Sequence, residues 1–126
     1  MLVALFQATN GKGIRLVGLE EPESALHPGA AAVLLDSLTE VALKAQVIVT
    51  SHSPDVLEGR NVPIDALFAV QADAGSTEIA PIDEAAKSAL RDRLYTAGEL
   101  LRAGQLKPDR KHLKDVKDRQ GRLFDE

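Results

Sequence analysis

With 126 residues, 44% of them hydrophobic but only 3% aromatic, the chain can fill one small aliphatic core, and its composition argues against wholesale disorder. A formal net charge of −4 excludes a chain-wide basic surface for nucleic acid, and the lack of cysteine excludes disulfides and thiolate metal sites. No apolar run reaches membrane-spanning length and no basic leader precedes a cleavage-like site, so a soluble cytoplasmic domain with no membrane partner is expected.

The first eight residues, MLVALFQA, are apolar and favour helix, yet they carry no cap and no polar first turn. Met1 therefore reads as falling inside an element. TNGKG at 9–13 makes a polar turn broken by Gly11 and Gly13. IRLVGL at 14–19 predicts a buried strand ending at Glu20. Pro28 suits the first position of a helix, where its missing N–H costs nothing. From Gly29 to about Lys44, Val33, Leu34, Leu38 and Val41 recur at helical spacing. QVIVT at 46–50 predicts a second buried strand, followed by a short helix from Pro54 that Ser53 could cap. Strand, helix and strand in this order point to a parallel pair joined by a crossover helix.

ALFAVQ (66–71) and TEIAPI (77–82) predict two further strands around the turn ADAGS. Two short helices are expected over 84–95 and 97–103, parted near Tyr95 and Thr96. After Pro108 the chain is charged and weakly periodic, which suggests a mobile or partly helical extension. The resulting division is a body over 1–105 and a tail over 106–126.

The residues with the most to say chemically are Glu20 and Glu21. Two adjacent carboxylates at a strand end repel unless a cation or a reaction uses them. Phosphoryl-transfer sites place one acidic residue there for magnesium, and a second can orient or deprotonate the attacking water. The alternative is a solvated acidic turn. His52, just past the second predicted strand, could face the same sheet edge and donate a hydrogen bond to a terminal phosphate. Ser51 and Ser53 beside it are accounted for by helix-start chemistry, and Glu23 chiefly by a helix dipole, with a functional role for its carboxylate the lesser alternative.

Together these segments carry a resemblance. IRLVGLEEPESALHP resembles the Walker B and D-loop segment of ABC-type ATPases, and QVIVTSHSPDVL resembles their switch-histidine segment. The Glu-Glu-Pro-Glu and Leu-His-Pro wording is similar to AAA/ABC-like ATP-binding proteins related to RecF, SMC and OLD-family ATPases. LYTAGELLRAGQLKPD is similar to a stretch that follows this core, so the resemblance covers about residues 1–108. It implies an α/β fold: part of a P-loop-NTPase-like three-layer sandwich, with mainly parallel strands, flanking helices, and a C-terminal hairpin with short helices. It also implies ATP and magnesium as cofactors.

By the same resemblance, Glu20 takes the magnesium-associated position through a water shell, although aspartate is the usual residue there. Glu21 matches the catalytic glutamate and His52 the switch histidine. Ser24, Ala25, Leu26 and His27 match the D-loop, which contacts the partner subunit of an ATP-sandwich dimer, so Ser24 and His27 are candidate nucleotide-side residues. No P-loop is found: NGKG at 10–13 lacks the leading glycine spacing and the hydroxyl residue after lysine. The signature segment is also missing, so the resemblance is to the C-terminal half of an ATPase.

The expected function is therefore a share of a composite ATP site, with Mg-ATP hydrolysis in the complete assembly and none by the chain alone. The expected partner is the phosphate-binding half or a homologous subunit in a dimer, with DNA a possible target of the full assembly. A rival reading is a non-catalytic remnant that binds partners through apolar residues such as Leu2, Val3, Leu5 and Phe6. A metal-dependent nuclease or phosphatase ranks last, since it needs more converging ligands than Glu20, Glu21 and His52.

Overall fold

A computed structural model describes residues 15–58 and 62–124. The expected helix over MLVALFQA and the turn at 9–13 lie outside these residues. The fold is mixed α/β, with a parallel strand pair and flanking helices, in keeping with part of a P-loop-NTPase-like fold. Contacts divide the chain into two compact units, Met1–Val56 and Leu57–Glu126.

In the first unit, β1 (Leu16–Glu20) and β2 (Gln46–Thr50) pair in parallel, with Leu16 opposite Gln46 and Glu20 opposite Thr50. A short 3-10 turn, Pro22–Ala25, leads from β1 into helix α1 (Pro28–Ala42), which returns the chain to the start of β2. The β2 ladder is extended at its start, where the Gln46 amide donates to the Arg15 carbonyl at 2.8 Å. The helix turns Leu34, Leu38, Val41 and the following Ala45 inward, each at most 9% exposed. Their spacing of three and four residues defines a single stripe. Val33, predicted to share it, is 60% exposed, because a helix step of about 100° carries it off the stripe centred on Leu34.

Both strands alternate. Val17, Leu19, Val47 and Val49 are half-buried, and α1 packs along β2. Leu16, Gly18, Glu20, Gln46, Ile48 and Thr50 are exposed. The first unit thus holds a parallel pair with one face covered. Helix α2 (Pro54–Leu57) begins at the expected proline and buries Val56.

In the second unit, a 3-10 turn at Ile64–Ala66 precedes β3 (Phe68–Asp73), which pairs antiparallel with β4 (Ser76–Pro81). The loop between them is two residues long, Ala74 and Gly75, both with positive φ (46° and 83°), as a hairpin matched to strand twist requires. Helices α3 (Glu84–Arg91), α4 (Ala97–Arg102) and α5 (Arg110–Phe124) follow. Ala69, Ile82, Ala86 and Leu100 form the core, flanked by Ile64, Leu67, Ala89, Leu90 and Leu106.

Each of these helices begins on a polar cap. The Ala86 amide donates to Asp83 Oδ1 at 2.9 Å. Thr96 and Glu99 form a reciprocal capping box, and Glu58 ties it down by accepting from Thr96 Oγ1 (3.1 Å) and Arg102 Nη1 (2.8 Å). Asp109 Oδ1 accepts from the Lys111 amide at 2.9 Å and, less closely, from that of His112. These amide bonds, the Lys111 bond first, hold the Asp109 carboxyl below its ordinary value, helped by the charges of Lys87 and His112 and opposed by burial. That cap accounts for the helix at Arg110–Phe124, where sequence periodicity alone is weak.

Candidate functional site

The strand register fixes what can meet at the end of the parallel pair. Since Glu20 lies opposite Thr50, the turns 21–23 and 51–53 leave the sheet side by side. The Glu21 amide donates to the Thr50 carbonyl at 2.9 Å, carrying the ladder one residue past β1. Glu21 itself then bends the chain, with φ 39° and ψ 51° in the left-handed region that non-glycine residues rarely adopt. Backbone held this way costs on the order of 1–3 kcal/mol and tends to occur where a side chain must be aimed.

The result is a carboxylate facing an imidazole: Glu21 Oε1 lies 2.8 Å from His52 Nδ1. Ser24 Oγ approaches Glu21 Oε2 at 3.5 Å, a weak contact. An ionised carboxylate only accepts hydrogen bonds, so the Nδ1 that faces one bears a hydrogen. That leaves Nε2 on a side chain 76% exposed, open to an incoming ligand. Nε2 accepts in the neutral ring and donates in the imidazolium. Chemically, a phosphate oxygen, itself an acceptor, could bond only to the imidazolium form at Nε2 when Nδ1–H is engaged by the carboxylate.

Glu20 does not join this pair. Alternation along β1 puts it on the exposed face with Gly18, Ile48 and Thr50, away from the side occupied by Leu19. His27 is exposed just before α1, and its carbonyl accepts from the Ala30 amide at 2.7 Å. Glu21 therefore faces His52, while Glu20 lies on the exposed face of the strand.

Two residues have roles that spacing did not suggest. Ser51 Oγ donates to Glu23 Oε1 and accepts from the Ser53 amide at 3.0 Å. Glu23, expected to serve a helix dipole, instead bridges the two strand-end turns. Its other oxygen, Oε2, is buried without a hydrogen bond among the described residues. These residues are 28 apart in the chain, and parallel pairing in the observed register is the one signal that could have brought them together.

For magnesium, the described residues contain no group of three His, Asp or Glu side chains arranged as ligands. A single exposed carboxylate, Glu20, fits an ion held mostly by water and phosphate oxygens and does not fit a closed protein cage. Among the described residues, no helix is long and apolar enough to cross a membrane.

A family model described as "AAA domain, putative AbiEii toxin, Type IV TA system" matches residues 1–58. The matched segment contains β1, α1, β2 and both strand-end turns, so the Glu21–His52 pair lies inside it. Over these residues the chain is similar to an AAA-type, P-loop ATPase-like domain. No curated protein matches the chain.

Proposed function

We propose that this chain supplies the hydrolytic edge of a composite ATP site, as the C-terminal portion of an ABC/RecF-like ATPase. The carrying observation is the 2.8 Å contact between Glu21 Oε1 and His52 Nδ1 at adjacent strand ends. In this reading Glu21 orients the attacking water and draws its proton, while His52 holds the carboxylate through Nδ1 and meets the terminal phosphate through Nε2. Glu20 takes the magnesium side through the ion's water shell. Bound magnesium would offset the charge of the phosphates. Ser24 and His27, on the turn that enters α1, face the nucleotide of a partner subunit across a dimer. The phosphate cradle comes from outside these 126 residues, since NGKG lacks P-loop spacing.

In the assembled ATPase, Glu21→Gln should lower kcat by about 10²–10⁴-fold, the usual worth of a general base, while ATP still binds. Unchanged hydrolysis would remove Glu21 from the role.

A second reading, a non-catalytic interaction module, draws on the uncovered face of the β1–β2 pair, where Leu16 is 56% and Ile48 51% exposed. Parallel sheets are ordinarily covered on both faces. Light scattering on the purified chain separates the readings, because a stable monomer at high concentration counts against the module.

A further inference from the structure

We infer that Glu23 is a positioning residue for His52: by holding the Ser51 hydroxyl, it sets the imidazole against Glu21. The inference rests on the reading of Glu21 and His52 as the hydrolytic pair.

Two cross-links join the strand-end turns, Glu21 to His52 and Glu23 to Ser51. They differ in environment. The side chains of Glu21 and His52 are 44% and 76% exposed, and a polar contact so open to water holds geometry poorly. Glu23 and Ser51 are half-buried, where a hydrogen bond competes less with solvent. The Ser51 hydroxyl passes the restraint on: it donates to Glu23 and accepts from the Ser53 amide, so the residues on both sides of His52 are tied down. With its side chain 76% exposed, His52 has little packing of its own to fix its ring. Its orientation is therefore inherited from its neighbours.

Glu23 also bears a cost that a helix-dipole role would not explain. A surface carboxylate near a helix start keeps both oxygens in water, whereas Glu23 Oε2 is buried without a hydrogen bond among the described residues. The bridge to Ser51 is what the half-buried position obtains. An amide could make the same bridge through its carbonyl oxygen, so geometry and charge are separable at this position.

The test uses the whole chain, needs no nucleotide and compares Glu23→Ala, Ser51→Ala and Glu23→Gln. Nitrogen-15 NMR of the His52 ring reads whether Nδ1 keeps its hydrogen-bonded proton, and amide exchange reads Ser53. The β1–β2 amides report that the unit remains folded. Glu23→Ala and Ser51→Ala should each broaden or abolish the Nδ1–H signal and speed Ser53 exchange several-fold. Glu23→Gln should restore both. An unchanged Nδ1–H signal in both alanine variants, with the β1–β2 amides still protected, would overturn the inference. Because no hydrolysis is measured, this outcome is distinct from a failure of Glu21→Gln to slow ATP turnover.

Discussion

The two units solve the same problem, keeping backbone groups paired in a small fold, by different means. The second unit does so mainly through local turns and caps, closed by longer-range bonds between residues 81–83 and 107–109. Its strands are joined by a two-residue hairpin, and its helices start on Asp83, Thr96 with Glu99, and Asp109, each within three residues of the amides it caps. The first unit does so over distance, with β1 and β2 paired in parallel register across the whole of α1. Parallel pairing brings two strand ends together and leaves their turns to be used, which is where Glu21, Glu23, Ser51 and His52 gather.

The contrast extends to strain. In the second unit the positive φ of Ala74 belongs to a hairpin turn that demands it, and that of Arg93 (54°) to the turn that ends α3. In the first, the positive φ of Glu21 opens the 3-10 turn Pro22–Ala25, with the Ser24 amide donating to the Glu21 carbonyl at 3.0 Å, and the same residue's carboxylate meets His52.

The largest effect that would sharpen this comparison is expected in the second core. Ile82 is 1% exposed just after β4, where it forms an isolated antiparallel bridge with Pro108. Ile82→Ala should destabilise that unit by about 2–5 kcal/mol, the usual range for truncating a buried aliphatic, as read by urea melts. A loss under 1 kcal/mol would mean that the core is not where burial places it.

A smaller effect of opposite sign is expected at the site. Glu21→Gly removes the cost of the left-handed backbone, so the first unit should gain about 1 kcal/mol in the same melts while the His52 contact is lost. A destabilised variant would show that the carboxylate holds the turn and would break the argument that strain is kept for function.

The smallest effect concerns acid. The Asp109 carboxyl titrates below its ordinary value of 3.8 in the folded chain, so its contribution is present above that value and is lost as pH falls through the lowered one. Circular dichroism should show α5 fraying as the pH drops below 3.8, and Asp109→Ala should show reduced helicity already at neutral pH. Equal helicity in the two chains at neutral pH would remove the cap from the account of α5.

Much of this architecture was legible in the residues themselves. QVIVT is a strand over the expected five positions, β1 ends at Glu20, α1 starts at Pro28, and the hairpin turns within ADAGS. These depend on local properties: β-branched runs, a proline at a helix start, a glycine where φ is positive. Boundaries shifted where a neighbour competed. Ala66 and Leu67 left the predicted strand because a 3-10 turn forms at Ile64–Ala66, and α3 stops at Arg91, short of Tyr95.

By itself the sequence determined the class of the fold, the order of its elements, and the resemblance that singles out Glu20, Glu21 and His52, because each is written in consecutive residues. Tertiary structure decided which of these meet. Alternation along β1 sends Glu20 to the exposed face, and the register with β2 brings Glu21 to His52 and Glu23 to Ser51. Register is a property of two strands at once, so no single stretch of chain contains it.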